Sequence, residues 1–563
     1  MNISTRADRH RRRTARRWAA AVAAAATLLA SACGSGAQPS GPTGAGQQPV
    51  RGGTLNIAFW PDNAAFLCID PFQDYWIEHR SLIRNFADSL TDQNPDTGQI
   101  VPWLATKWVI SPDGRDYTFT LRDGVTFSDG APLDAAAVKT NFDNFLDLAR
   151  SSGGGAFGSS YIVGLESTTV VDPKTVRLHF TQPNSSFLQA TSTTNLAMLS
   201  PASFQRTPEQ RCKGDFSGSG LFVLDKYVPE QSVTLSRRAG YRWGSPLGKN
   251  TGEAYLDKVQ VSFVAEDSVR TGNLVSGQVD IAWPRIPFTV EDRELIARSG
   301  AYLRSRSLPG VSDTLWPNVS DGHPLADDQV RQALYHAVDL KSYAATVYGP
   351  DYPVVSGPFD STTPYFVSQS DKLRYDPDQA GRLLDAAGWK RAPGEEYRSK
   401  DGKRLSLQLL VPDHSSAGTD LLQDQLRTIG IEMQQRVVTA PERTAAIANG
   451  QYDLVESYFT RADPGALQFI LVQQLAQSKA LARSTQKPDA AARVQDLFTQ
   501  AVQATDETQR RHAYADLQNL LIDAGIGFPL YERVQYAGIR NQVNGFRFTS
   551  ESFPALNDVW IKP

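Results

Sequence analysis

Three groups of side chains in this sequence have types and spacings that could do chemistry. They are a cysteine that closes an apolar run, a serine and a lysine one helical turn apart, and an aromatic–arginine–aspartate string near residue 460. The cysteine is Cys33. Arg11, Arg12, Arg13, Arg16 and Arg17 precede the uncharged stretch Trp18 to Ala32, whose last residues are Ala30, Ser31 and Ala32. Such a stretch is short for a membrane span and suits the apolar region of a secretory signal. A thiol directly after it looks like a bacterial lipobox, with 1–32 removed and Cys33 acylated as the new N-terminus. Ala30 stands where a leucine is usual, with Leu29 one step further out; a plain cleavage site is the alternative. The location expected is extracytoplasmic, on the outer face of the cell membrane. The arginine pairs leave the export route open between the general and twin-arginine pathways.

The second group is Ser484 and Lys487, spaced as in penicillin-recognising serine enzymes. Pro488 follows at once, and Lys249-Asn250-Thr251-Gly252 does not supply the Lys-Thr-Gly that such a site requires. No Gly-x-Ser-x-Gly elbow and no phosphate-binding glycine loop is present. The histidines, at 10, 79, 179, 323, 336, 414 and 512, never come within five positions of one another, so no local metal-ligand pair exists. The expectation is a protein that is not an enzyme, with no catalytic residue, no cofactor and no metal.

The third group is Tyr458-Phe459-Thr460-Arg461-Ala462-Asp463-Pro464. Small ligands in clefts are held by aromatic walls and a few placed polar groups, and Arg461 is a fork of donors suited to a carboxylate or phosphate. The ligand-binding candidates are Tyr458, Thr460, Arg461 and Asp463 here. Trp60, Trp283, Trp316 and Asn318 join them at the ends of other expected strands. Ordinary core packing is the alternative for each tryptophan, and a turn for Asp463-Pro464.

The elements that must position these residues are legible in outline. After Cys33, positions 34–50 hold only small and polar residues and proline, apart from the final Val50, with no charge. Such a coil spans about 20–25 Å and suits a tether from a lipid to a folded body. The whole chain is 41% hydrophobic and 21% charged and carries a net charge of −3. That permits a large core and more than one lobe, with no electrostatic footprint for nucleic acid. Besides Cys33, the sequence holds Cys68 and Cys212. Outside the cytoplasm an even remainder points to one disulfide, with two separately buried thiols as the alternative.

A strand is expected over Thr54 to Phe59. Tyr117, Phe119 and Leu121 alternate with polar residues between the turns Pro112-Asp113-Gly114 and Asp123-Gly124, the pattern of a half-buried meander. Asp134 caps a helix with Val138, Phe142, Phe145 and Leu146 on one face. Further on, Asp327 caps a helix, another runs from Asp378 to Ala387 and ends at Gly388, and strands fall over Leu405 to Val411 and Leu454 to Phe459. Strand–helix–strand–helix–strand is the mark of a wound α/β lobe.

The run PWLATKWVISPDGRDYTFTLRDGVTFSDGAPLDAAAV, Pro102 to Val138, resembles the signature of family 5 extracellular solute-binding proteins, the oligopeptide, dipeptide and nickel-chelate binders of ABC importers. GSGLFVLDKY (218–227), YLDKVQVSFVAEDSVRTGNLVSGQVDIAW (255–283), VRQALYHAVDL (330–340), YDPDQAGRLLDAAGW (375–389), GQYDLVESYFTRADP (450–464) and FPLYERVQYAGIRNQVNGF (528–546) are similar to further family segments, in the right order.

The resemblance implies a two-lobed α/β binding fold with an extra subdomain in lobe I and a ligand cleft between the lobes. Lobe I would gather 51–85, 215–308 and 528–563, the insert 86–214, and lobe II 309–527. It implies a monomer that binds a peptide or other small molecule and works with a membrane permease and ATPase. A non-peptide anionic solute, a metal chelate, or a sensory or enzymatic relative without transport is the alternative. In peptide-binding members an acidic residue just before the Asp-Pro receives the peptide's α-ammonium. The position aligned with it here is Thr460.

Overall fold

The computed structural model describes residues 48–61, 67–74, 76–153, 156–411, 417–474 and 489–563. Cys33, the signal and most of the tether lie outside these residues, as does Ser484 to Lys487. Among the described residues no helix is long and apolar enough to cross a membrane.

Lobe I is organised by a seven-stranded sheet with the order 301–307, 534–540, 281–283, 54–59, 258–263, 232–237 and 222–228. Thr54–Phe59 lies at its centre, parallel to both Lys258–Phe263 and Ile281–Trp283. A strand buried on both faces should be almost continuously apolar, and Leu55, Ile57, Ala58 and Phe59 have essentially no exposure.

The insert carries a four-stranded antiparallel sheet, 105–110, 116–121, 175–180 and 165–172. The expected alternation holds over Asp116–Leu121, where Tyr117, Phe119 and Leu121 are the buried residues. The helix Ala135–Ser151 covers this sheet. Asp134 caps it by accepting from the Ala137 amide, and Val138, Phe142 and Phe145 point inward. A disulfide joins Cys68 to Cys212 and ties the start of lobe I to the end of the insert.

Lobe II has a five-stranded sheet with the order 432–437, 406–411, 454–460, 310–317 and 528–531. Its first three strands are parallel, and the intervening helices Ala417–Thr428 and Ala440–Asn449 make this the wound α/β part. Gly450 ends the second helix in the left-handed conformation at φ 68°, which costs a glycine nothing. The helix expected from Asp378 begins earlier: it spans Pro377–Ala386, with Asp376 as its cap. Pro377 fits the first helical position because its missing N–H would have no partner there.

The chain leaves lobe I after Ser307, enters the lobe II sheet at Gly310, and returns between Tyr531 and Val534. The boundary expected at 528 therefore moves. Phe528–Tyr531 pairs with Gly310–Pro317 in lobe II, and only from Val534 does the chain rejoin the lobe I sheet, beside Ala301–Ser307.

Candidate functional site

The two crossings lie against each other and are locked by a buried ion pair. Leu308 donates its amide to the Arg533 carbonyl at 2.9 Å. Arg533 in turn donates from its amide and from Nε to the Asp360 carboxylate, each at 2.9 Å. Burial pushes the Asp360 carboxyl up to about 7, with Arg533 opposing the rise. Gly310 sits beside this pair at φ 123°, and a Cβ there would run into the Phe459 carbonyl oxygen. The hinge thus needs a glycine at its tightest approach.

Next to the hinge the lobes meet through Arg285 and Tyr458. Arg285 follows the lobe I strand that ends at Trp283, and Tyr458 lies on Leu454–Thr460 of lobe II. Arg285 Nη2 donates to the Tyr458 hydroxyl at 2.9 Å. Its Nη1 lies 3.5 Å from both oxygens of Glu78, and its guanidinium carbon is 4.6 Å from the Trp76 ring centre. Glu78 is fully buried; desolvation raises its pKa and Arg285 opposes this. A second tie runs from Arg80, on the lobe I helix Ile77–Phe86, to the Thr460 carbonyl at 3.2 Å, with Glu551 as its counter-ion.

This arrangement can present a guanidinium between two aromatic faces to a solute. Tyr458 and Trp76 bracket flat groups, and a carboxylate or carbonyl can take the place of the tyrosine hydroxyl on Arg285. Among the described residues no group of three His, Cys, Asp or Glu side chains is placed to hold a metal ion.

The sequence-predicted residues fall into three places. Tyr458 faces the cleft. Thr460 borders it, but its hydroxyl accepts from Arg533 Nη1 at 2.6 Å. Arg461 and Asp463 turn toward the insert instead. The Arg461 guanidinium lies 4.3 Å from the ring centre of Tyr161, with Nε 3.4 Å from Gln189 Oε1, and the residue is 6% exposed. Asp463 accepts from Arg510 at 2.7 Å and from Ser186 at 3.2 Å. Burial would raise its pKa, but Arg510 and Arg461 outweigh this and hold the carboxyl below its ordinary value. A groove of about 900 Å³ runs along this seam, between Trp108 of the insert and Tyr365 of lobe II.

The expectation that Trp283, Trp316 and Asn318 join the same site is corrected by the topology. Trp283 has no exposure and packs in lobe I against Phe59, Phe546 and Phe548, with ring centres 5.8, 6.4 and 6.0 Å away. Gly310–Pro317 is antiparallel to Leu454–Thr460, with Gly310 beside Thr460 and Pro317 beside Leu454. Trp316 and Asn318 therefore lie toward the sheet end opposite Thr460. Trp316 is fully buried, its indole reaching back along the strand to the Ser457 carbonyl, and Asn318 donates to the Gly450 and Tyr452 carbonyls. Trp60 stays near the lobe I strand end, with the Arg270 guanidinium 4.9 Å from its ring centre.

Sequence reading missed Arg285, Trp76, Glu78, Arg80 and Arg533. The one available signal was that Arg285 lies two positions past Trp283, where the strand gives out into the cleft.

Known proteins match this chain over most of its length. The family model for the middle region of bacterial extracellular solute-binding proteins, family 5, matches residues 99–478. The Escherichia coli K12 nickel-binding periplasmic protein is 25% identical over 492 residues, covering 86% of this chain and 87% of the relative. The glutathione-binding protein GsiB of the same organism is 24% identical, covering 85% and 90%. Among solved structures, NikA from Brucella suis in complex with Fe(III)-EDTA superimposes with a TM-score of 0.78 at 24% identity, covering 91% of this chain and all of that one. The oligopeptide-binding protein AppA of Bacillus subtilis, in complex with a nonapeptide, gives 0.72 at 18% identity, covering 92% and 100%. A two-lobed body with its lobes joined at a double crossing, matched by this family model over most of its length, belongs to the bacterial extracellular solute-binding proteins of family 5.

Proposed function

We propose that this protein is the extracytoplasmic receptor of an ABC importer and that its solute is a peptide or peptide-like molecule. The carrying observation is the Arg285–Tyr458 bond, which joins the lobes through two groups that can each bind a solute. A solute carboxylate or carbonyl would take the guanidinium, with Trp76 and Tyr458 as walls. Closure about the 307–310 and 531–534 crossings would then present one shape to a permease and its ATPase. Relatives named for glutathione and crystallised with peptides support this ligand class.

Cys33 is proposed to carry the lipid that keeps the receptor at the membrane. Since one chain binds a bilayer only marginally, stable retention needs more than one acyl group. Cys33→Ala should be released or left unprocessed, and its recovery in the membrane fraction after correct cleavage would refute the anchor.

The ligand class is tested by mass spectrometry of solute co-purifying with the full chain, followed by calorimetry with di- and tripeptides and with glutathione. A second reading, a non-peptide anion or metal chelate, is favoured by the cationic character of Arg285. It takes precedence if the co-purifying solute lacks a peptide bond and peptides give no heat.

A further inference from the structure

Beneath Tyr458, on the lobe II side, two carboxyl groups share a buried place that none of the contacts above uses. Asp313 lies where the strand Gly310–Pro317 bulges, opposite Tyr531, and Glu456 lies on the neighbouring strand opposite Leu315. Asp313 has no exposure, no well-aligned hydrogen bond reaches either of its oxygens, and its nearest polar neighbours are the Glu456 carboxyl and the Tyr531 hydroxyl. Tyr343, on the helix Leu340–Tyr348, is also fully buried. Its hydroxyl has no hydrogen-bond partner and feels both carboxyls. That hydroxyl lies so close to Gly418 that a Cβ there would collide with it. The phenol rings of Tyr348 and Tyr531, 5.0 Å apart, stand alongside. Glu456, Tyr458 and Tyr531 keep partial exposure, whereas Asp313 and Tyr343 do not.

The nearby cations do not neutralise this pair. Arg533 is committed to Asp360 and Thr460. Arg443 donates to the backbone carbonyl of Glu456 at 2.7 Å and only partly compensates its charge. Burial, together with the neighbouring Glu456, holds Asp313 well above the ordinary carboxylate range. A buried carboxyl pair that must share its own hydrogen bond, beside a buried hydroxyl with none, is costly to stability, and a donor entering from the cleft would relieve it.

We infer that Asp313, Glu456 and Tyr343 form a subsite of the solute cleft that receives a cationic nitrogen, an ammonium or guanidinium, of the transported molecule. Its N–H groups donate to the Asp313 and Glu456 oxygens, the Tyr343 hydroxyl accepts one more, and the faces of Tyr348 and Tyr531 add cation–π attraction. This rests on the reading that the cleft holds the transported solute, and it narrows that solute to one bearing positive charge at this end.

The test is calorimetry on the full chain with the tripeptides Ala-Lys-Ala and Ala-norleucine-Ala, and with spermidine. Wild type should bind the lysine peptide about tenfold or more tightly than the norleucine peptide, the size expected of a charged hydrogen bond. Asp313→Asn and Glu456→Gln should each erase that preference while leaving norleucine-peptide affinity unchanged. Asp313→Asn should also melt no lower than wild type, because it removes a buried carboxyl that desolvation and the neighbouring Glu456 disfavour. Equal affinity of wild type for both peptides overturns the subsite and leaves the peptide reading intact. Spermidine binding that depends on Asp313, with neither peptide bound, overturns the peptide reading and keeps the subsite. Absence of Asp313-dependent binding by any cationic probe overturns the subsite.

Discussion

Arg285 of lobe I donates a 2.9 Å hydrogen bond to the hydroxyl of Tyr458 on lobe II, so one pair of side chains bridges the two lobes at the place proposed to take the solute. A solute that takes over either group must substitute for that bond and does not simply add to it. Tyr458→Phe removes the bond while keeping the wall. The closed state should lose about 1 kcal/mol, raising the ratio of open to closed molecules roughly fivefold without solute. Small-angle scattering of the solute-free protein measures this, and an unchanged radius of gyration would contradict it.

Arg285→Ala and Arg461→Ala should behave oppositely. Arg285 faces the cleft, and its removal should weaken binding of an anionic or carboxylate-bearing solute by about 2–5 kcal/mol. Arg461 lies over Tyr161 beneath the insert, so its removal should lower thermal stability by about 1–2 kcal/mol and change solute affinity less. Calorimetry and thermal melts on both variants separate the two roles.

Thr460→Asp should not recruit a peptide ammonium. The hydroxyl at 460 already accepts from Arg533, and a carboxylate there would compete with Asp360 for the same guanidinium. The expected outcome is a perturbed hinge with unimproved peptide affinity. Tighter peptide binding by this variant would show that the acid missing at this position is what separates the protein from ordinary peptide carriers.

Reducing the Cys68–Cys212 bond, which closes a separation of 144 residues, should cost about 2–5 kcal/mol. A Cys68→Ser/Cys212→Ser variant should melt lower than the oxidised protein and match the reduced one. Equal melting of oxidised protein and variant would leave the bond without a stabilising role.

Asp88 gives a pH prediction with a definite sign. It is fully buried and accepts from Trp243 Nε1 at 3.0 Å, and burial pushes its carboxyl up to about 7. A carboxyl with a raised folded pKa binds its proton more tightly in the folded state. Its contribution is therefore fully present in acid and declines from the ordinary carboxylate range up to about pH 7. Asp88→Asn should flatten the fall in melting temperature between pH 4 and pH 8; a slope equal to wild type would place the titration elsewhere.

What could be read from the sequence was whatever depends on neighbours along the chain. Tyr117, Phe119 and Leu121 announce a strand because period-2 burial is local, and Asp134 announces a helix because a cap bonds three residues on. The site was only partly legible. Tyr458 was singled out from the sequence, and the structure places it against Arg285 of the other lobe. Arg285 was not, because Glu78 and Tyr458, which give it meaning, lie 207 and 173 positions away. Trp316 and Asn318 were placed with Tyr458 because both strands have ends, but which ends coincide depends on an antiparallel pairing that no local pattern encodes. Asp313 was invisible for a similar reason: it lies on a strand buried along its whole length between two partners that are distant in sequence.

The seam between the insert and lobe II has a cost that every solute meets. Phe157 of the insert packs tilted against Phe459 and edge-on against Phe469, Gln93 donates to the Ala462 carbonyl, and Ser186 donates to Asp463. Rotation about the crossings must peel this seam apart before the cleft can admit anything. The shut form is therefore partly self-supporting, and a solute supplies only the difference between its own contacts and those broken when Arg285 leaves Tyr458. In a receptor built this way, weak solutes can still be carried in the shut form, and discrimination shifts from how tightly a solute is gripped to how quickly the seam lets it go.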